Sequence, residues 1–278
     1  MSTLHAGTSG WAYPAWKPAF YPAKLPQKSF LNYYATRLNA VEVNYTFRHM
    51  ASEKSLQNWI AETPAEFRFC LKAHQAITHI KRLKGAEELV KRFLASLEPL
   101  LRAGKMGPAL FQLPPNFKAD AVLLGEFLGG LPRALCCAFE FRHQSWFSDA
   151  VYDVLRRHNA ALCVAESEDM TVPDVCTANF CYYRLRKPEY SAEERQQVGE
   201  RMRSYLAGGR DAFVFFKHED TPEGALYAAE LLSKAGRPRS RRVGHQACNS
   251  HQRPITRILN LCLPRLTTRA CSPPFLTT

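Results

Sequence analysis

Cys136-Cys137-Ala138-Phe139-Glu140-Phe141-Arg142-His143-Gln144-Ser145-Trp146 is an apolar run that stops abruptly in a Glu, an Arg and a His. Small apolar and aromatic residues bounded by polar ones read as a strand. In parallel α/β sheets, ligands bind in the crevice at the carboxyl ends of the strands. The fold therefore turns on whether other segments end the same way, and seven more do. Leu4 to Gly10 leads into Trp11, and Ala40-Val41-Glu42-Val43-Asn44 is short and apolar apart from Glu42 and Asn44. Phe67 to His74 finishes on Lys72 and His74, while Pro108 to Leu113 carries Gln112 and meets Pro114-Pro115, which cannot continue a ladder. Ala161 to Ala165 ends in Glu166, Phe180 to Arg186 carries Arg184, and Ala212 to Glu219 carries Lys217 and His218.

Between these segments apolar residues recur at helical spacing. Phe30, Leu31, Tyr34 and Leu38 fit one helix, and Leu89, Val90, Phe93, Leu94, Leu97, Leu100 and Leu101 fit the best amphipathic helix of the chain. Further helical runs surround Val122 to Leu128, Ala150 to Leu155, Val198 to Leu206 and Ala225 to Leu232. Asp149, Ser191 and Thr221 stand before helical runs as N-caps, Ser191 with Glu194 three residues on as in a capping box. Eight strands alternating with helices predict an α/β fold of the (β/α)8 TIM-like barrel type, a single domain over residues 1–235, within the ~250 residues such barrels usually take. An open doubly wound sheet is the alternative. It lacks support, because Gly7-Thr8-Ser9-Gly10 runs into Trp11 and prolines instead of opening a helix as a dinucleotide-binding turn does.

At 46% hydrophobic and 22% charged residues, 278 residues are enough for one large core. No apolar run approaches the ~20 residues of a membrane span, and no basic segment precedes an apolar one at the N-terminus. The expected setting is cytoplasmic, without membrane contact. The nine cysteines form no Cys-x-x-Cys pair and fall mostly within strands, so they read as buried thiols. Residues 236–278 differ from the rest: eight arginines with no lysine or acidic residue supply +8 of the formal +12, together with five prolines. This basic, irregular tail reads as a disordered arm for nucleic acid or other acidic partners, or as the product of a shifted reading frame. Arginine without any lysine favours the shifted frame.

The chain resembles the YecE-like family of uncharacterised TIM-barrel proteins (domain of unknown function 72) between about Leu4 and Ala235. The resemblance is carried by Gly7-Thr8-Ser9-Gly10-Trp11 with Tyr13-Pro14 and Trp16, Phe20-Tyr21-Pro22, Val41-Glu42-Val43-Asn44 with Thr46-Phe47, and Leu71-Lys72-Ala73. Thr78-His79, Phe111-Gln112-Leu113-Pro114-Pro115 and Glu140-Phe141-Arg142-His143 with Ser145-Trp146 complete it. It implies the barrel fold and an intracellular, mostly prokaryotic setting, and no reaction. Arg184-Leu185-Arg186-Lys187 and Phe216-Lys217-His218-Glu219 depart from the family pattern at the seventh and eighth strand ends.

A barrel would gather all these strand ends on one face. Alternation places Glu140 with Arg142, and Glu42 with Asn44, on a common side of their strands. A Glu inside an apolar strand is costly to bury without a cation, a donor or a proton, which makes Glu42 and Glu140 the candidate catalytic carboxylates. Arg142, Lys72, Arg184, Asn44, Gln112, Trp11, Trp146 and His74 are the candidate substrate-binding residues, the cations for an anion and the indoles as a stacking wall. A purely structural salt-bridge network competes with that reading. A desolvated strand-end lysine can also serve as an amine nucleophile, a property that sequence does not reveal. A divalent metal is a further option through His143, Glu166 or His218, against which stand the nearby cations and the lack of compact His-x-His spacing. The expected function is an enzyme of hydrolase or lyase type using carboxylate acid/base chemistry on an anionic substrate, a small phosphorylated molecule or nucleic acid. The alternative is a non-catalytic barrel that binds nucleic acid or a metabolite through the same mouth.

Overall fold

A computed structural model describes residues 2–217 and 220–235; His218 and the tail 236–278 lie outside them. Eight parallel strands curl into a (β/α)8 TIM-like barrel: β1 (Leu4–Thr8), β2 (Ala40–Val43), β3 (Arg68–Leu71), β4 (Ala109–Gln112), β5 (Cys137–Glu140), β6 (Ala161–Ala165), β7 (Phe180–Leu185) and β8 (Asp211–Phe216). Around them lie α1 (Phe30–Arg37), α2 (Glu53–Glu62), α3 (Glu87–Ser96), α4 (Glu98–Arg102), α5 (Ala121–Gly129), α6 (Asp149–Arg157), α7 (Ala192–Ala207) and α8 (Glu223–Ala235).

Two local outcomes differ from the sequence expectation. The long amphipathic run from Leu89 to Leu101 divides into α3 and α4, because Pro99 has no amide hydrogen to continue the ladder and its ring collides with the preceding turn. Ser148, not Asp149, occupies the N-cap position of α6, and Asp149 is the acidic residue of its first turn. The Ser191 and Glu194 capping box of α7 is present in full. The β6–β7 connection contains no helix; there Thr177 accepts from the Leu162 amide at 2.8 Å and donates to the Ala160 carbonyl at 2.7 Å, tying the loop back to the strand.

Ladder bonds run in the order β1-β8-β7-β6-β5-β4, with β2 and β3 paired separately. Single bridges, Phe69 to Met106 and Lys72 to Leu110, join β3 to β4. The seam between β1 and β2 is closed by side chains instead. Asn39 accepts from the Ala6 amide at 2.9 Å and donates to the Leu4 carbonyl at 2.8 Å, which imitates a strand's own donor and acceptor. The Tyr34 hydroxyl accepts from the Thr8 amide at 2.8 Å and donates to the Ala40 carbonyl at 3.0 Å. Here the backbones come so close that a Cβ on Gly7 would lie 1.9 Å from the Ala40 oxygen, so only glycine fits.

The period-two alternation of the strands separates two cores. Ala40, Cys70, Leu110, Ala138, Ala161, Cys163 and Ala165 point into the barrel from β2 to β6, and Phe180, Tyr182, Phe213 and Phe215 from β7 and β8 fill the space those small residues leave. A larger core lies between strands and helices and takes in the aromatic loop after β1, with Trp16, Phe20 and Tyr21 all buried.

Asn39→Ala should lower unfolding free energy by about 2–6 kcal/mol, since each of the two backbone groups it serves loses its partner at ~1–3 kcal/mol. Urea denaturation is the measurement, and a cost below ~0.5 kcal/mol would mean that the seam does not depend on Asn39.

A cationic layer at the carboxyl ends of the barrel strands

One step of two residues beyond the inner apolar layer, five polar side chains replace it: Ala40 is followed by Glu42, Cys70 by Lys72, Leu110 by Gln112, Ala138 by Glu140 and Tyr182 by Arg184. All five are buried, Glu42 fully and Lys72 with 9% of its surface exposed. Arg184 is the centre. Its Nη2 and Nε donate to Glu42 Oε1 at 2.6 and 3.1 Å, and its Nη1 donates to Glu140 Oε2. One guanidinium thus spans two carboxylates carried by β2 and β5.

Glu42 receives further bonds from the Tyr182 hydroxyl at 2.8 Å and the Ser9 hydroxyl at 3.0 Å. Glu140 receives Arg142 Nε at 3.1 Å and Arg186 Nη2 at 3.2 and 3.3 Å. Burial by itself would raise the Glu140 carboxyl, but Arg184, Arg186 and Arg142 outweigh it and hold the group well below the ordinary carboxylate range. The same contest runs the other way at Arg184: burial opposes its charge, and Glu42 and Glu140 more than restore it.

Lys72 stands beside this network. Its Nζ donates to Gln112 Oε1 at 2.9 Å and lies 4.0 Å from the centre of the Phe47 ring. Burial, assisted by the Arg184 charge, brings its pKa down to about 8, with Glu140 and Glu42 pulling the opposite way. His79, whose ring meets Phe47 edge-on at 4.9 Å, is also lowered, by burial and by Lys72. It sits on a π-helical turn, Ala76–Ile80, a geometry often found at functional sites.

Among the described residues, three buried polar atoms at this end of the barrel have no hydrogen-bond partner: Asn44 Oδ1, Gln112 Nε2 and Arg186 Nε. The Gln112 amide stands near enough to Glu140 to favour its ionised form. Buried polar atoms are nearly always satisfied, so each of these three can take one further hydrogen bond.

The structure thus brings together Glu42, Glu140, Arg142, Lys72, Arg184 and Gln112, with Asn44 just beyond β2. Other candidates are placed elsewhere. Trp146 is wholly buried, stacked on Phe141 at 4.5 Å and donating to the Phe117 carbonyl at 2.7 Å, because the 3-10 turn Gln144–Trp146 turns it back into the outer core. Trp11 packs edge-on against Trp59 of α2 at 5.3 Å and lines a cleft of about 210 Å³ with Leu31 of α1. His74 accepts from the Ala76 amide at 3.1 Å and contacts the Arg48 carbonyl at 3.2 Å, which anchors loops. Of the metal candidates, His143 caps its turn by accepting from the Ser145 amide at 3.2 Å. Glu166 accepts from the Arg186 and Lys187 amides and from the Tyr190 hydroxyl. His218 lies outside the described residues. Among the described residues no group of three or more His, Cys, Asp or Glu side chains is placed to hold a metal ion.

Arg186, Tyr182 and Phe47 were not among the sequence candidates. The first two carried a legible signal, since Tyr182, Arg184 and Arg186 share one face of β7 and its extension. Phe47 follows β2 on a 3-10 turn, where alternation does not say which way it faces, and its one signal was its place in the family motif.

The fold and this layer define a TIM-like barrel with a buried carboxylate and guanidinium network at the strand carboxyl ends. The chain belongs to the family described as "Protein of unknown function DUF72", whose family model matches residues 5–252. It is 31% identical over 160 residues to the UPF0759 protein YunF of Bacillus subtilis, covering 54% of each chain. It is 31% identical over 146 residues to the UPF0759 protein YecE of Escherichia coli, covering 52% of this chain and 50% of that one. The chain thus spans about half the length of these curated relatives. A solved DUF72 family protein from Thermotoga maritima superposes with a TM-score of 0.72 at 27% identity, covering 82% of this chain and 97% of that one. No helix among the described residues is long and apolar enough to cross a membrane.

Arg184→Met should destabilise the protein by about 3–5 kcal/mol at neutral pH, because it leaves the buried Glu42 without a paired cation among the described residues and takes one of three from Glu140; a loss under ~1 kcal/mol in urea would show that the network relaxes without it. Lys72 gives a test of opposite sign. Its folded pKa of about 8 lies below its unfolded value, so between pH ~8 and ~10.4 the unfolded chain binds more protons and stability rises with pH, by up to about 3 kcal/mol. Lys72→Met should abolish that rise, and stability curves of the two proteins that run parallel from pH 8 to 10 would contradict the assignment.

Proposed function

We propose that the strand-end layer binds the anionic group of a small molecule, a phosphate or a carboxylate, and that Glu42 and Glu140 serve as counter-ions which set the guanidinium groups in place. The observation that carries this reading is a surplus of cations. Among the described residues, Arg142, Arg184, Arg186 and Lys72 gather about two carboxylates, Glu42 and Glu140, so these six side chains keep a formal +2 when all are ionised. Guanidinium groups grip phosphate and carboxylate through paired donors, and the unpartnered Arg186 Nε and Gln112 Nε2 are donors in need of an acceptor.

A carboxylate held as far down as Glu140 is a poor base and no acid near neutrality. That weighs against acid/base catalysis of the hydrolase or lyase kind by Glu140, and Glu42 already accepts bonds from Arg184, Tyr182 and Ser9. The depth of the layer favours the end of a small molecule over the continuous backbone of a nucleic acid: Arg184 and Gln112 expose 3% of their surface each.

Inorganic phosphate, titrated calorimetrically into the protein, should bind with an affinity that falls about tenfold in Arg186→Met, the loss of roughly one charge-assisted hydrogen bond. An oligonucleotide without terminal phosphate should compete poorly. Equal phosphate binding by both proteins, or displacement by the oligonucleotide, would contradict the reading.

A further inference from the structure

Lys72 has a setting that a simple structural cation does not need. It ends the inward row of β3, one bridge away from Leu110 of β4, and its amine lies above an aromatic face beside an amide oxygen. Among the described residues it forms no salt bridge; the two carboxylates nearby are taken up by Arg142, Arg184 and Arg186. The charged and titratable groups that bear on it are Arg184, Arg142, Glu140 and Glu42, with His79 on the other side of Phe47. A lysine kept only for charge would be better served by a carboxylate than by Gln112, whose Nε2 is itself left without a partner.

We propose that Lys72 is an amine nucleophile that forms an imine with a small aldehyde or ketone bearing a phosphate or carboxylate. The proposal rests on the anion-binding reading, in which Arg142 and Arg186 hold the anionic end of that same molecule. The neutral amine adds to the carbonyl carbon, forming the C–N bond and opening the C=O bond to a hydroxyl. That hydroxyl then leaves as water, carrying the carbonyl oxygen together with the two hydrogens of the amine, and a C=N bond remains. No oxidant or reductant is consumed. Protonated from solvent, the imine is a cation like the ammonium it replaces, so the Phe47 face accommodates both states. Burial and the neighbouring arginines supply the free amine: with a pKa of about 8, roughly half of Lys72 is neutral at pH 8, against well under a hundredth of an ordinary lysine.

The test is reductive trapping on the full chain at pH 8. Glyoxylate, pyruvate and dihydroxyacetone phosphate are each added with sodium cyanoborohydride, acetone serves as the probe without an anionic group, and modified lysines are mapped by peptide mass spectrometry. The expected result is a reduced adduct on Lys72 about tenfold above that on any other lysine, since lower basicity offsets part of the gain in free amine. Excess inorganic phosphate should suppress it, acetone should give little, and Lys72→Arg should lack it. Absence of enrichment at Lys72 with all three anionic probes would overturn the proposal. Calorimetry with inorganic phosphate on the unmodified protein separates the two ideas. If phosphate binds and Lys72 stays unmodified, the nucleophile is wrong and the anion site stands. Labelling of Lys72 by acetone and pyruvate alike, without phosphate binding, would uphold the nucleophile and refute the anion site.

Discussion

The Arg184 guanidinium, held between Glu42 and Glu140, is the contact on which the upper half of the barrel depends. Its partners sit on β2 and β5, neither of which is a neighbour of β7 in the sheet order, so the bridge crosses the barrel interior where no ladder bond can reach. Taking two carboxylates and a guanidinium out of water costs several kcal/mol per ion, and only close, multiply bonded geometry recovers it. The structure meets that demand with further donors from Tyr182, Ser9, Arg142 and Arg186. The donors stand on β7 or just beyond the ends of β1, β5 and β7, and the network therefore specifies which strands face one another.

The same demand explains what lies beneath and beside it. Below, small side chains on β2 to β6 leave room that the Phe180, Tyr182, Phe213 and Phe215 rings fill from the other wall, and Tyr182 alone among them carries a hydroxyl up to Glu42. Beside it, with both carboxylates taken up by arginines, Lys72 meets an amide oxygen and a ring face among the described residues. Its lowered pKa follows first from burial and then from the Arg184 charge, with Glu140 and Glu42 pulling the other way. Structural ion pairing and an activated amine are thus two outcomes of one arrangement of charge.

The eight strands were legible because each is a short apolar run closed by a polar or proline boundary, and the alternation rule put Glu140 with Arg142, and Glu42 with Asn44, on a common side of their strands. The same rule applied to β7 points to Tyr182 and Arg186, which the departure of Arg184-Leu185-Arg186-Lys187 from the family pattern had obscured. Trp146 and His74 follow strand ends on turns, where the period of two no longer says which way a side chain faces. The break between α3 and α4 was available in Pro99, although the apolar spacing runs through it without a fault. Nothing in the sequence marks Asn39 as a surrogate strand, since an asparagine before a strand is an ordinary loop residue.

That surrogate seam matters for the site above it. Asn39 and Tyr34 hold β1 against β2 at the closest backbone approach of the seam, where Gly7 faces the Ala40 carbonyl. Two residues beyond Gly7 stands Ser9, whose amide is bonded to the Phe216 carbonyl of β8 and whose hydroxyl reaches Glu42. Glu42 is therefore positioned from one side by the side-chain seam and from the other by Arg184. A side chain at position 7 would run into the Ala40 carbonyl, so the glycine lets the two backbones meet there and leaves Ser9 within reach of Glu42. The unusual closure and the buried charge network are in this sense one construction, in which the tight seam sets the place of the carboxylate that the arginine must find.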